Sequence, residues 1–472
     1  MNPLLVTLAL GTLLKAVLAA LWPLRAEEAM AWAHATAGVG SLHGDALTRL
    51  LADWADGGPL GRLVLRAPGL IAALLWSLPL AAMGRRAGAS PHRIAGIWLT
   101  LHALPGLALA TVGWSREPLL ALLFLAALDA ALRCSRGVPS AARTLGLLGG
   151  LGLLVHPLAL LLPFAAFGCG LDRREAGRRE SGRVEEPSSP AGPALLGLLL
   201  GAAMALVIEP GGVLPRAAAW ASSLRLGFRP EGLLAWGLGS AALVGPLVPL
   251  LAVRGWGECG TLAGGEGLGP RLVSVAPLAV LLYLALQGPT DPRLVLGPAA
   301  AAVVPALLAA DPPRSLARRL RIAGWSVAAV LGAVELAAIG SERLARHLEL
   351  RLPALAKASA AARPLARPLA EALHERFPEA APFCDPDPVR GALIALHDRA
   401  RRPLIDPGGQ GVSPARALTL VDHPQAAREP LRDWSTMEVE PPVRIPTGGG
   451  GVWTVWPAWA RDPQPGASAP NR

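Results

Sequence analysis

The sequence has few cysteines and few charged residues for its length, and it lacks the common motifs of soluble enzymes. Only 17% of its 472 residues are charged, and none of its four cysteines belongs to a CxxC pair. A disulfide framework and a structural zinc site are therefore not supported. There is also no Walker loop, no G-x-S-x-G elbow, no HExxH motif and no dinucleotide fingerprint, so nucleotide-driven transport and soluble-type hydrolysis lack support.

Apolar runs of roughly twenty residues recur along most of the chain. Hydrophobic residues make up 52% of the sequence, and a soluble protein of this size does not need such runs. The net charge of +10 comes from short basic clusters between the runs, which is the distribution of cytoplasmic loops rather than of a nucleic-acid-binding surface. The sequence predicts an all-α polytopic membrane protein without a nucleic-acid partner.

The runs predict about 11–13 transmembrane helices. The first, Pro3–Trp22, is interpreted as an uncleaved helix rather than a signal peptide, because no basic segment precedes it and Lys15 lies inside it. With the N-terminus inside, the arginine clusters between spans fall on the cytoplasmic side, apart from those of an external segment at Gly211–Arg229. The other single spans are predicted at Ala67–Met83, Ile94–Gly113, Pro118–Leu132, Leu195–Ile208, Leu233–Val253, Leu272–Gln287, Leu294–Ala310 and Ile322–Gly340, with a glycine-rich cytoplasmic loop at Arg254–Arg271.

The run Thr144–Gly170 does not fit a single crossing, because basic residues flank both of its ends. The dipeptide His156-Pro157 near its middle offers a break in the helix. We expect two short helices that form a hairpin with an outward tip, where protein or water covers the irregular backbone.

The chain is predicted to have two domains. Residues 1–340 form a transmembrane domain with an external first loop at 23–66 and a cytoplasmic linker at 171–193. Residues 341–472 form a small external (periplasmic) C-terminal domain, α/β or irregular, whose tail 461–472 is predicted to be disordered. The abundance of Arg, Ala, Gly, Leu and Pro is typical of a GC-rich bacterial genome. Together with the predicted transmembrane helices, it indicates a location in a bacterial plasma (inner) membrane.

The first loop contains the acidic pair Glu27-Glu28, followed by Ala29, Met30, Ala31 and Trp32. This pattern resembles the Asp-Glu-Ala-x-x-Trp signature of the GT-C glycosyltransferases, the ArnT-like and protein-mannosyltransferase-like enzymes of glycosyltransferase family 39. It departs from that signature in its leading Glu, which replaces Asp, and in Met30 and Ala31, which occupy positions that are aromatic in the family.

Further segments resemble the same family in order and spacing over residues 1–340. The start of the second span matches at 65–74, the short turn between the third and fourth spans matches at 115–118, and the glycine-rich fifth segment matches at 149–164. A late outer-face turn matches at 292–297, with its tyrosine and proline replaced. The resemblance implies a divergent member with the GT-C fold.

The resemblance implies transfer of a sugar from a polyprenyl-phosphate donor to an acceptor hydroxyl at the outer face. The acceptor oxygen then needs a general base or an orienting carboxylate. Glu27 or Glu28 fits this role, and Glu27 aligns with the leading acid of the family. A solvated acid that favours a helix dipole is the alternative.

The leaving group would be a lipid phosphate, whose charge needs cations. Arg293 at an outer edge is suited to this role because a guanidinium binds phosphate in a bidentate manner. Arg66 is similarly placed, and both have a structural alternative at the membrane interface or at a helix start. His156 is an intramembrane ionisable group and a further candidate, whereas a neutral His that caps broken backbone is the alternative.

Glu117 is a candidate second acid or metal ligand, with the alternative of an acid favoured at a helix N-terminus. His43 and Asp45 are candidates for a divalent metal ion beside Glu27, although their spacing is not diagnostic. No cofactor is assigned beyond this open metal site.

The predicted partners are a polyprenyl-phosphate-linked sugar donor, membrane lipid and an envelope acceptor. Two rival functions stay open: a multipass transporter or lipid-carrier translocase, and a non-catalytic GT-C relative. The first calls for internal symmetry and several polar interruptions at mid-membrane. His156-Pro157 is the only strong interruption found.

Overall fold

The structure is a computed structural model. It describes residues 2–22, 28, 51, 59–113, 115–181, 189–223, 230–245, 247–288, 290–309, 314–340, 373 and 375, and six strands between residues 383 and 460. The chain divides into two compact units. The helical unit comprises Met1–Trp22 and Leu65–Ala333, and the second unit comprises Pro23–Val64 and Val334–Arg472. Residues 23–64 of the predicted first loop and all of the predicted C-terminal domain thus fall in the second unit.

Helices of very different lengths make up the membrane part of the chain. The described helices are α1 (Pro3–Leu21), α2 (Pro59–Leu75), α3 (Ser77–Arg86), α4 (Pro91–His102), α5 (Pro105–Ala110), α6 (Glu117–Ser135), α7 (Pro139–Leu151), α8 (Phe164–Ser181), α9 (Ala191–Ile208), α10 (Pro210–Ser223), α11 (Pro230–Val244), α12 (Val248–Ala263), α13 (Leu268–Gln287), α14 (Leu296–Leu308) and α15 (Arg314–Gly340). Three short 3-10 turns lie at Gly152–Leu154, Pro157–Leu161 and Pro292–Val295.

Among the described residues, five helical stretches are long and apolar enough to cross a membrane, and a bent pair brings the number to six. The stretches are Pro3–Leu21, Pro59–Arg86, Glu117–Ser135, Ala191–Ile208 and Leu268–Gln287, and the bent pair is Glu231–Val244 with Val248–Ala263. Shorter apolar helices at Ser140–Leu154 and Pro292–Leu308 accompany them. The predicted multipass helical fold is confirmed, although several predicted spans are shorter or broken.

Prolines and one glycine account for the breaks. The predicted span Ile94–Gly113 is two helices, α4 and α5, because Leu104 before Pro105 adopts an extended conformation. The predicted span Leu233–Val253 bends by 81° between α11 and α12, next to Gly245, whose φ is +85°. The predicted loop Arg254–Arg271 is helical as far as Ala263.

The break predicted at His156-Pro157 within Thr144–Gly170 is confirmed, whereas a hairpin with an outward tip stays a prediction. Helix α7 ends at Leu151, two 3-10 turns follow on either side of His156, and α8 begins at Phe164. Helix α8 continues to Ser181, so the first part of the predicted linker 171–193 is helical. Residues 182–188 lie outside the described residues.

Helices α7 and α9 cross through two facing pairs of glycines. A Cβ added at Gly146 would lie 1.8 Å from the carbonyl oxygen of Ala194, and one at Gly197 would lie 2.1 Å from that of Arg143. Gly150 and Gly201 continue the contact one turn further along each helix. Small residues four apart let two membrane helices approach closely enough for dispersion forces to hold them. The sequence G-x-x-x-G thus fixes this crossing.

Arginine side chains close the C-terminal ends of three helices. The last carbonyls of a helix have no partner within it and carry partial negative charge. A guanidinium supplies both charge and two donors to such oxygens. The three pairs are Arg93 with the carbonyl oxygens of Leu307 and Ala309 at the end of α14, Arg136 with Leu262 at the end of α12, and Arg173 with Cys134 at the end of α6.

A buried carboxylate joins α6, α8 and α13 at the same end of α6. Asp172 accepts hydrogen bonds from the backbone N–H groups of Leu268 and Gly269 at 2.9 and 3.1 Å. It also accepts one from the hydroxyl of Ser135 at 3.0 Å. The carboxylate is therefore satisfied by the N-terminus of α13, where negative charge is favoured.

The second unit contains a mixed sheet. Its strands are β1 (Phe383–Cys384), β2 (Leu404–Ile405), β3 (Arg416–Val421), β4 (Met437–Val439), β5 (Val443–Pro446) and β6 (Val452–Ala460). The order is β2-β1-β3-β6-β4, and β5 pairs with β6. Strand β1 is parallel to β2 and β3, whereas β6 is antiparallel to its neighbours.

Candidate functional site

Glu117 and Arg293, assigned separately from the sequence, form an ion pair in the helical unit. Glu117 is the first residue of α6, and Arg293 lies in the 3-10 turn that leads into α14. Nε of Arg293 is 3.5 Å from Oε1 of Glu117. The side chain of Glu117 is 10% exposed and that of Arg293 is 38% exposed. The pair joins two positions that are remote in the sequence.

The pair lies at the end of α6 that is opposite to the arginine-rich end. Helix α6 has 19 residues, which corresponds to about 28 Å. Near its C-terminus Asp129 pairs with Arg133, from Nε to Oδ2 at 3.1 Å, and also with Arg86. The outer-face position predicted for Glu117 and Arg293 stays a prediction, and their place at the end of α6 opposite to these basic residues is in keeping with it.

Local forces hold Glu117 at the start of α6. An acid in the first helical turn interacts favourably with the helix dipole, and Pro118 suits the position that follows it. The indole N–H of Trp76 donates to the carbonyl oxygen of Pro118 at 2.9 Å. Trp76 is itself fully buried, so it anchors the first turn of α6 to the junction of α2 and α3.

Asp291, which the sequence analysis did not identify, also binds the guanidinium of Arg293. Its two carboxylate oxygens lie 3.1 Å from Nε of Arg293, and Oδ2 lies 3.0 Å from Nη2. Oδ1 also accepts the backbone N–H of Arg293 at 2.9 Å. The available signal was Asp before Pro at the start of a turn, since an Asp side chain bonds backbone two residues on.

One oxygen of Glu117 has no hydrogen-bond partner among the residues that the structure describes. Oε2 is buried and accepts no hydrogen bond from any group in the described part of the chain. A buried carboxylate oxygen left in this state costs about 1–3 kcal/mol. The arrangement is therefore one in which a hydrogen-bond donor brought to Oε2 would be bound favourably.

Arg66 has a structural position in the helical unit. Its guanidinium is fully buried, and Nη1 donates to the carbonyl oxygens of Ala19 and Trp22 at 2.6 and 2.8 Å. It therefore satisfies the C-terminal end of α1. The assignment of Arg66 to donor phosphate stays a prediction.

His156 caps the break between α7 and α8. Its Nδ1 accepts the backbone N–H of Leu158 at 3.0 Å, at the start of the second 3-10 turn. A nitrogen that accepts carries no proton, so this imidazole is neutral when the bond is made. The geometry matches the capping alternative, and a phosphate-binding role for His156 stays a prediction.

The first-loop candidates are described only in part. Glu28 is helical and fully buried. Glu27, His43 and Asp45 lie outside the described residues. Their roles as base and as metal ligands stay predictions.

The described residues offer no ready metal site. No three His, Cys, Asp or Glu side chains among them come together in a way that could hold an ion. Glu117 and Asp291 are both engaged with Arg293. The metal site predicted from His43 and Asp45 lies outside the described residues and stays a prediction.

A second polar cluster, within the bundle, escaped the sequence reasoning almost entirely. Nζ of Lys15 in α1 donates to the hydroxyl of Thr111. His102 stacks on Trp76 with 4.8 Å between ring centroids and meets Trp98 edge-on at 3.9 Å. Neither nitrogen of His102 has a hydrogen-bond partner within the described chain. Lys15 is buried, so it does not extend along α1 to the membrane surface.

Comparison with known proteins supports the fold and no closer relationship. No family model and no curated protein matches the sequence. Among the solved structures that match, two cover 96% of this chain and 97% of theirs, each with a TM-score of 0.53. They are ArnT from Cupriavidus metallidurans bound to undecaprenyl phosphate, 16% identical, and the same protein in the apo state, 14% identical. The chain has the GT-C fold of that protein.

Proposed function

We propose that this protein is an integral membrane glycosyltransferase. It takes a sugar from a polyprenyl-phosphate-linked donor and transfers it to a hydroxyl group of a lipid, glycan or protein acceptor at the outer face of the plasma membrane. The GT-C fold supports the class of reaction, since a protein with this fold was crystallised with undecaprenyl phosphate. The observation that carries the proposal for this chain is the pairing of Glu117 with Arg293 at the N-terminal end of α6. Arg86 and Arg133 lie at the opposite end of that helix.

The reaction moves one glycosyl group and one proton. The acceptor oxygen attacks the anomeric carbon of the sugar and forms the new C–O bond. The bond from that carbon to the phosphate oxygen breaks, and the polyprenyl phosphate leaves with the electron pair. A carboxylate takes the proton of the acceptor hydroxyl, which contributes about 10²–10⁴ to the rate of a typical enzyme.

The charged groups divide these tasks. Glu27 or Glu28 is the proposed base, in keeping with the first-loop signature. Arg293 is the proposed donor to the phosphate oxygens as their charge grows, because fixed cations stabilise such charge most where water is scarce. Glu117 lies beside this guanidinium, with Oε1 3.5 Å from Nε, and offers Oε2 to a substrate hydroxyl group.

The test is sugar transfer by membranes that contain the full chain. A set of radiolabelled polyprenyl-phosphate sugars is supplied together with an envelope extract as the source of acceptor. Wild type is compared with Glu117→Gln and Arg293→Gln, with the amount of protein measured in each membrane. We expect transfer by wild type and a loss of about 100-fold or more in both variants.

Glu258→Gln provides a matched control. Glu258 also pairs with an arginine, Arg254, at 3.9 Å on α12, and it plays no part in the proposed chemistry. Transfer should be unchanged in this variant. Absence of transfer from every donor, or equal transfer in wild type and both site variants, would count against the proposal.

A further inference from the structure

Two carboxylates compete for one edge of the guanidinium of Arg293. Asp291 makes three contacts of 3.0–3.1 Å with Nε and Nη2. Glu117 approaches only Nε, at 3.5 Å, a distance beyond that of a good charged hydrogen bond. The edge formed by Nε and Nη2 holds one carboxylate side-on, and Asp291 occupies it.

The competition explains why Glu117 retains an unused oxygen. If Glu117 held the same edge, both of its oxygens would receive N–H groups from Arg293. With Asp291 in that position, Oε2 of Glu117 is buried without a hydrogen-bond partner in the described residues. Asp291 is itself fixed, because Oδ1 also accepts the backbone N–H of Arg293.

We propose that Asp291 is a positioning residue that holds Arg293 away from full pairing with Glu117. It thereby keeps Oε2 of Glu117 available for a substrate hydroxyl group and keeps Arg293 oriented for an anionic group. The ligand chemistry is that of a polyol, and this part rests on the proposed function. The geometric part, competition between the two carboxylates, does not depend on any activity.

The geometric part is tested by thermal unfolding of the purified full chain in detergent. The coupling between Glu117 and Arg293 is measured as the non-additivity of Tm among Glu117→Gln, Arg293→Gln and the double variant. The same cycle is then repeated with Asp291→Asn in the background. We expect a coupling near zero with Asp291 present and one of about 2 °C in its absence, because Arg293 then closes onto Glu117.

The functional part is tested by steady-state transfer of the radiolabelled sugar. Asp291→Asn should lower kcat about tenfold and change KM for the donor by less than about threefold, since the lost contacts act mainly in the transition state. Asp291→Glu, which keeps the carboxylate, should recover most of the rate. In an Arg293→Gln background, Asp291→Asn should have no further effect.

Three results would overturn the inference. The first is an equal Glu117–Arg293 coupling with and without Asp291. The second is a rate loss in Asp291→Asn that adds fully to that of Arg293→Gln. The third is the same rate in Asp291→Asn as in wild type. If wild type transfers no sugar, the proposed function fails, and the unfolding cycle still decides the geometric part.

Discussion

The indole N–H of Trp76 donates to the carbonyl oxygen of Pro118 at 2.9 Å, one residue after Glu117. A fully buried side chain at the junction of α2 and α3 thus holds the first turn of α6. The carboxylate that faces Arg293 depends on that turn for its position. A misplacement of about 1 Å at a reacting group can lower a rate about 100-fold.

We therefore expect Trp76→Phe to lower the rate of sugar transfer severalfold while lowering Tm only modestly. The substitution keeps an aromatic ring and removes one hydrogen bond, which is worth about 1 kcal/mol. Transfer rate and Tm are measured on the same preparation. Trp98→Phe is the control, because Trp98 is equally buried and donates to the carbonyl oxygen of Ala73 at the same distance.

Both tryptophan variants should lower Tm by similar amounts. Only Trp76→Phe should lower the transfer rate severalfold. Equal losses of rate in the two variants would show that the bond to Pro118 supports the bundle and not Glu117 in particular.

One of the two first-loop glutamates should prove essential. Replacement of a general base by its amide removes proton transfer and typically costs about 10²–10⁴ in rate. Glu27→Gln and Glu28→Gln are compared in the transfer assay at equal protein levels. Full activity in both variants would remove the first-loop acids from the mechanism.

The crossing of α7 and α9 should not tolerate a single methyl group. Gly197→Ala would place a Cβ 2.1 Å from the carbonyl oxygen of Arg143, so the helices must separate. Overpacking of this kind costs about 1–3 kcal/mol, and we expect Tm in detergent to fall by several degrees.

Gly192→Ala on the same helix is the matched control. A Cβ at Gly192 meets nothing within 4 Å, and Ala is the better helix former. Its Tm should stay equal to that of wild type or rise slightly. A similar fall in both variants would exclude close packing as the cause.

The arginine caps should not accept lysine. Arg173→Lys keeps the positive charge but loses the fork that places two N–H groups on the carbonyl oxygen of Cys134, at 2.9 and 2.6 Å. We expect a loss of about 1–3 kcal/mol in stability and no change in membrane topology measured with reporter fusions. Arg174→Lys, at an exposed neighbour, should leave Tm unchanged.

Much of the helical unit was predictable because membrane spans follow from hydropathy and basic loops. The break at His156-Pro157 was also predictable, since Pro and flanking charge both pointed to it. The bend at Gly245 was missed because the surrounding run is apolar enough to be interpreted as one span, although the dipeptide Gly245-Pro246 is a turn signal in the sequence. The glycines of the run Arg254–Arg271 favoured the prediction of a loop, yet the run is helical as far as Ala263.

The residue types of the candidate site were predictable from the sequence, whereas the contacts between its side chains were not. Glu117 and Arg293 were each recognisable from a turn at the predicted outer side. Their contact depends on how α6 and α14 pack, which one sequence does not state. Asp291 was overlooked because an Asp before Pro indicates only a turn cap. Its side-chain contacts with Arg293 become visible only in three dimensions.

The position of Arg66 has a consequence for the segment between α1 and α2. By binding the carbonyl oxygen of Trp22, it ties together the two ends of a chain excursion of some forty residues, whose closure entropy grows only slowly with length. Such an excursion can be lengthened, shortened or exchanged without pulling on the bundle that anchors it.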